Sequence, residues 1–156
     1  MMGIQVYNRQ GEEREVTLMM ISTKGTYALR VMIDLAQHED EGYISLKSIA
    51  ERQKISMKYL ETIVSLLNKG GMVQSLRGKD GGYKLRKPAA EYPIGEILRL
   101  TEGGLTPVSC HGFSEGEQEC QNVNNCLTFP MWQKLDTLIN AYLDKVSLKD
   151  LLEGKV

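Results

Sequence analysis

Residues 45–88 read SLKSIAERQKISMKYLETIVSLLNKGGMVQSLRGKDGGYKLRKP, and the order of elements in this stretch decides the fold. Ser45 stands before a short segment to Gln53 in which Leu46, Ile49 and Ala50 share one helical face. After a break at Lys54 and Ile55, Ser56 opens a longer helix with Leu60, Ile63, Val64 and Leu67 on one stripe, ended by Gly70 and Gly71. A serine in such a place caps because its hydroxyl accepts from an amide that has no partner inside the helix, and a glycine ends a helix because it tolerates the left-handed turn. Two helices across so tight a connection form a helix-turn-helix pattern, a spacing that other helical hairpins share. The next fifteen residues narrow it. Met72 to Leu76 alternates as a strand, Arg77 to Gly82 supplies a glycine-rich turn, and Tyr83 to Arg86 returns as a second strand. A hairpin with a basic tip after the second helix is a wing. The expected fold class is therefore mainly α with a small β-hairpin wing, a winged helix-turn-helix that offers one helix to duplex DNA.

Charge divides along the chain in the same way. The net charge of -1 conceals 12 Lys/Arg against 7 Asp/Glu over residues 20–88 and 5 against 10 over residues 89–156. Within 52–87 the bases Arg52, Lys54, Lys58, Lys69, Arg77, Lys79, Lys84, Arg86 and Lys87 meet only Glu61 and Asp80. That asymmetry fits a nucleic-acid face joined to an acidic half with another role, although an ordinary solvated surface also produces such runs. No apolar stretch reaches the roughly 18 residues of a membrane span, and the opening MMGIQVYNRQGEEREV has no apolar core of an export signal, so a cytoplasmic protein without membrane contact is expected.

The patterning divides the chain into four segments. Residues 1–19 show no sustained period and read as a disordered or mobile extension, and residues 20–104 form the DNA-binding domain. This domain starts with an apolar scaffold helix from Ser22 or Thr23 and ends with a helix from Ile94, after Pro93, that stops at Gly103 and Gly104. Residues 105–127 form a loop, and residues 128–156 a long helix followed by the short amphipathic piece after Ser147. Met131, Trp132, Leu135, Leu138, Ile139, Tyr142, Leu143 and Val146 lie on one broad face of the long helix. Such a face requires a partner, either the same face of a second copy in a homodimer or the body of its own chain.

The loop carries all three cysteines, Cys110, Cys120 and Cys126. An odd number of thiols gathered in a flexible Gly- and Asn-rich stretch reads as an iron–sulfur or metal site rather than a disulfide framework. Zinc is a weaker fit, because a closed structural site needs a fourth strong ligand. An enzyme is not expected: there is no Ser/His/Asp constellation, phosphate-binding glycine loop or paired general acid and base, and His38 stands in a polar loop without partners.

The wording of these segments resembles the Rrf-two family of winged-helix regulators, in particular its cysteine-bearing branch of iron–sulfur cluster regulators. The resemblance spans about residues 20–152 and rests on ISTKGTYALRVMIDLA (21–36), SLKSIAERQKIS (45–56) with KYLE (58–61), LLNKGGMVQSLRGKDGGYKL (66–85), ILRLTEG (97–103) and the cysteine triad followed by Leu127, Thr128 and Trp132. It implies a cytoplasmic homodimer on a double-stranded operator, acting as a repressor or other transcription regulator. It also implies a cluster, 2Fe-2S in preference to 4Fe-4S, on Cys110, Cys120 and Cys126, and a link to cluster biogenesis or to sulfur and cysteine metabolism. The helix opened by Ser56 would enter the major groove, placing Ser56, Lys58, Tyr59, Glu61 and Thr62 against DNA. Glu61 either accepts from a cytosine amine or pairs with Lys58 one turn away. Arg77 resembles the wing arginine that enters a narrow minor groove, while Lys79 and Lys84 would contact phosphates and Gly81 would allow close backbone approach.

The sensor departs from the family pattern at two places. Nine residues rather than five separate the first two cysteines, and Phe129 stands where the family's cluster regulator has a histidine ligand. A second family position for a ligand, near the start of the first helix, falls on Thr26. The remaining candidates for a fourth ligand are His111, Glu115, Glu117, Glu119, a group of the partner chain, and an exogenous thiol or water. A competing reading within the family is a repressor controlled by a metabolic enzyme partner or by thiol oxidation without a cluster. An iron–sulfur electron carrier or enzyme is a third.

Overall fold

Four serines start four helices. In the computed structural model, which describes residues 4–7, 13–16, 21–108 and 125–156, the Ser22 hydroxyl accepts from the Gly25 amide at 3.3 Å to open α1 (Thr23–Gln37). Ser45 does the same through Ser48 at 3.1 Å for α2 (Leu46–Gln53), and Ser56 through Tyr59 at 3.4 Å for α3 (Met57–Lys69). Ser147 and Asp150 close a reciprocal capping box at the start of α6 (Leu148–Glu153). Between them lie α4 (Ile94–Glu102), begun by Pro93 without a side-chain cap, and α5 (Phe129–Lys145), with Pro130 in its first turn. The expected helix starts therefore hold.

The wing forms as anticipated, shifted by one residue. β3 (Val73–Leu76) pairs antiparallel with β4 (Gly82–Leu85) in the register Val73↔Leu85 to Leu76↔Gly82. A third backbone segment joins it, because Ile44, ahead of α2, exchanges two hydrogen bonds with Tyr83 at 2.9 and 2.8 Å. Glycine at position 82 is what lets that segment approach. A Cβ there would overlap the Ile44 carbonyl group.

One apolar core gathers α1, α2, α3, α4, the wing and α6: Val31, Met32, Leu35, Ile49, Leu60, Ile63, Val64, Leu67, Val73, Tyr92, Ile97 and Leu148 all belong to it. Leu148 enters because Leu148 N–H donates to the Tyr92 carbonyl at 2.9 Å while Ile94 N–H donates to that of Val146 at 2.9 Å, pulling the last helix against the start of α4. Tyr92 in turn locks the wing's base, its hydroxyl donating to the Met72 carbonyl at 2.6 Å and accepting from the Arg86 and Lys87 amides at 3.0 Å each.

Three expectations change. His38, expected in a polar loop without partners, is the C-cap of α1, and its Nδ1 lies 2.7 Å from the Asp34 carbonyl oxygen one turn back. Ile4–Tyr7 (β1) and Glu13–Val16 (β2) pair as an antiparallel hairpin where no regular element was expected, since Glu13–Val16 holds a single apolar residue and so shows no alternation. Leu105, expected as the first residue of the loop, is buried with the core. Among the described residues no helix is long and apolar enough to cross a membrane.

Candidate nucleic-acid interface and cysteine site

The stripe Leu60, Ile63, Val64 and Leu67 turns one side of α3 into the core, which commits the opposite side to solvent. Ser56, Lys58, Glu61 and Thr62 are exposed there, as expected. Thr62 donates its hydroxyl to the Lys58 carbonyl at 3.2 Å, within the same helix. Among the described residues no ion pair joins Glu61 to Lys58 or to any other base. Tyr59 differs from the others. Its ring is half-buried, edge-on to Tyr27 of α1 at 5.7 Å between centroids. Burial raises its phenol above the ordinary value, with Tyr27 and Glu102 adding to the effect.

The turn ahead of α3 is held by a carboxylate with little signature in the sequence. Asp34, the one charged residue among the buried positions of α1, is 1% exposed. Its oxygens accept from Arg52 Nε at 3.0 Å, Arg52 Nη2 at 2.6 Å and Gln53 Nε2 at 2.8 Å. Burial pushes its carboxyl up, but the hydrogen bonds from Arg52 and Gln53 outweigh it and hold the group below the usual carboxylate range. Arg30 extends the network: its Nε donates to Gln53 Oε1 at 3.1 Å, a second nitrogen reaches the Gln53 carbonyl, and its guanidinium lies 5.0 Å from the Tyr27 ring centroid. The end of α2 is thus tied to α1 on both sides, immediately before Lys54, whose backbone takes the left-handed conformation at φ 56°. That conformation costs a lysine roughly 1 kcal/mol relative to glycine. The only sequence sign of this device was one acid inside an apolar helix.

A second carboxylate anchors the opposite end of α1. Glu102, the last residue of α4, accepts at Oε1 from the Ser22 hydroxyl at 2.7 Å and from the Ser22 amide at 3.3 Å. Gly25 makes room for it, since a Cβ would overlap that oxygen.

In the wing, Arg77 and Lys79 are exposed at the turn. Gly81 serves the turn itself, because its amide donates to the Gly78 carbonyl at 3.1 Å and a Cβ would overlap the Leu76 carbonyl oxygen. Lys84 lies with its ammonium 4.8 Å from the Tyr43 ring centroid. Several other bases are also engaged internally. Arg52 serves Asp34, Arg86 Nε donates to the Val73 carbonyl at 2.9 Å, and Lys87 sits over Tyr92. Within 52–87 the exposed bases with no such partner among the described residues are then Lys54, Lys58, Lys69, Arg77 and Lys79, on α3, its flanking turn and the wing tip.

Of the three thiols only Cys126 falls among the described residues. Cys110, Cys120, His111, Glu115, Glu117 and Glu119 lie at 109–124, outside them. Cys126 Sγ stands 3.3 Å from the Thr128 hydroxyl, ahead of the first turn of α5. The Thr128 side-chain hydrogen bond, with backbone amides of Thr128 and Phe129, pulls its thiol below the ordinary value, toward the thiolate that binds soft metals. One thiol of this character suits an iron–sulfur ligand set. Phe129 offers no donor atom for iron, and Thr26, exposed on the first turn of α1, offers only a weak hydroxyl.

The family model described as Rrf2, iron-dependent transcriptional regulator, matches residues 21–154. The HTH-type transcriptional regulator IscR of Serratia proteamaculans is 36% identical over 137 residues, 88% of this chain and 81% of that protein. Among solved structures, T. potens IscR superposes with a TM-score of 0.66 at 36% identity, covering 88% of each chain. CymR of B. subtilis, described as the global cysteine regulator, superposes with a TM-score of 0.65 at 37% identity, covering 86% of this chain and 97% of its own. With the helix-turn-helix, the wing and matches of this extent, the chain belongs to the Rrf2 family and is a DNA-binding transcription regulator, not an enzyme.

Proposed function

We propose that this regulator binds a pseudo-palindromic operator as a homodimer, with α3 in the major groove and the wing against the minor groove. An iron–sulfur cluster held by Cys110, Cys120 and Cys126, 2Fe-2S in kind, would control that binding. The observation that carries the DNA reading is the unpaired Glu61 on the exposed side of α3. A carboxylate facing phosphates is tolerable where it accepts from a cytosine amine, and among the described residues no ion pair engages Glu61. Ser56, Lys58, Tyr59 and Thr62 share that helix, Arg77 is the wing's minor-groove candidate, and exposed Lys79 adds a phosphate contact, as Lys84 would by leaving the Tyr43 ring.

The dimer is supported by α5. Only Leu143 and Val146 of its apolar face pack against the core, while Met131, Leu135, Leu138 and Tyr142 are exposed, Leu138 by 55%. A two-fold pairing of these faces would cover them and set two reading helices a fixed distance apart.

The cluster, when bound, supplies a redox-sensitive and supply-sensitive group. This chain's part is to offer three thiolates, with Cys126 already biased toward ionisation. Phe129 leaves the fourth position to His111, a nearby glutamate, a partner-chain group or an exogenous ligand, which favours a labile cluster suited to sensing cluster supply or sulfur status in a reducing cytoplasm. The lowered Cys126 thiol and the likeness to CymR also support a second reading, a thiol switch or an enzyme partner without a cluster. Operator affinity of anaerobically reconstituted protein against the Cys110→Ala/Cys120→Ala/Cys126→Ala variant tests the proposal. Changed operator preference with intact dimerisation is expected, and identical binding by the two forms counts against cluster control.

A further inference from the structure

Met57 is the first residue of α3 and 43% exposed. It plays no part in starting the helix. The apolar residues that bracket the Ser56 cap are Ile55 and Leu60, which are 6% and 0% exposed and occupy the two positions of a hydrophobic staple. Nor does Met57 belong to the core stripe of Leu60, Ile63, Val64 and Leu67. It lies instead one turn before Glu61, on the same side of the helix, so that the two side chains form one solvent-facing ridge.

The surroundings limit what this side chain can meet. In the chain it stands between Lys54 and Lys58, both exposed and without partners among the described residues, so an apolar protein surface is a poor match. A polyanion with isolated apolar spots is a good one. On the major-groove edge of DNA the 5-methyl of thymine is the apolar group, and an unbranched thioether can adjust to it. One turn of helix advances about 5.4 Å, against about 3.4 Å per base pair, so the contact would fall one or two base pairs from the base met by Glu61.

We propose that Met57 is a specificity-determining residue that reads a thymine 5-methyl group next to the base read by Glu61. This rests on the reading that α3 enters the major groove.

The test uses the full-length dimer and an operator selected by it from random duplexes. Each thymine is replaced in turn, in both half-sites, by deoxyuridine, which removes only the methyl group, and binding is followed by fluorescence anisotropy at fixed salt. At one position the wild-type protein should lose about fourfold in affinity per half-site, the effect of one buried methyl group. Met57→Ala should bind the unmodified operator more weakly by a similar factor and be indifferent to that replacement, and Met57→Leu should remain sensitive. Wild-type binding unaffected by deoxyuridine at every position, or full sensitivity retained by Met57→Ala, overturns the inference. Should Glu61→Ala shift the selected sequence while Met57 shows no methyl dependence, only this inference falls. If Glu61→Ala also selects the wild-type sequence, the major-groove reading of α3 falls with it.

Discussion

Replacing Asp34 by Asn removes a charge on which three hydrogen bonds converge, from Arg52 Nε, Arg52 Nη2 and Gln53 Nε2. Breaking a fully buried ion pair from one side costs about 3–5 kcal/mol, because the surviving charge is left desolvated. Here the Arg52 side chain is 32% exposed, so water replaces part of what it loses, and a cost of about 2 kcal/mol is expected. For a chain of this size each kcal/mol moves the melting temperature by about 2–4 °C, so Asp34→Asn should melt about 4–8 °C below wild type. Urea unfolding measures the free energy directly, and a double-mutant cycle with Arg52→Met should return a coupling of at least about 1 kcal/mol. Acidity supplies a third arm. The folded carboxyl is held below its ordinary value near 3.8, so its contribution is fully present above that value and fades as the pH falls through it toward the lower folded value. Asp34→Asn should flatten that acid limb. Because the network fixes the turn ahead of α3, operator affinity should drop while non-specific DNA binding stays. An Asp34→Asn protein within about 0.5 kcal/mol of wild type, with no coupling to Arg52, would refute this reasoning.

Gly82→Ala should cost about 2–4 kcal/mol through overpacking and loss of the two Ile44–Tyr83 hydrogen bonds, seen as faster amide exchange at Tyr83; unchanged exchange there would show that Ile44 yields freely. Arg77→Ala should weaken operator binding by about 1–3 kcal/mol and relax preference for A·T-rich flanks, and equal loss on every flank would reduce it to a phosphate contact. Leu138→Asp should yield monomer in sedimentation and abolish operator binding, since a charge forced into an apolar interface costs several kcal/mol; a monomer with native affinity would end the dimer argument.

The helix-turn-helix and wing were legible because each boundary has a local chemical cause: serines that cap, glycines that turn, and apolar residues at fixed spacing. The features that sequence hid depend on contacts across long separations. The third segment of the wing is a single bridge at Ile44, with nothing periodic about it, and Gly82 shows its close approach only when Ile44 is placed against it. Asp34 looked like one acid among apolar neighbours until Arg52 and Gln53, 18 and 19 residues on, closed around it. Lys54 holds a left-handed turn that glycine would have announced. Tyr59 sits with the exposed readers in sequence because its position on α3 is lateral, and Tyr27 covers it only in the fold. At the cysteine site the sequence supplied the donors and Phe129 the mismatch, while the structure adds the environment of Cys126 alone.

Control of DNA binding by an iron–sulfur cluster on Cys110, Cys120 and Cys126 stands or falls on anaerobic absorption and electron paramagnetic resonance spectra of the isolated protein, with iron and acid-labile sulfide determined on the same sample. The expected result is a coloured protein with visible charge-transfer bands and about two irons and two sulfides per chain, as a 2Fe-2S cluster requires, all lost when any of the three cysteines becomes alanine. A colourless protein that takes up no iron on anaerobic reconstitution would contradict it and leave the thiol switch in its place.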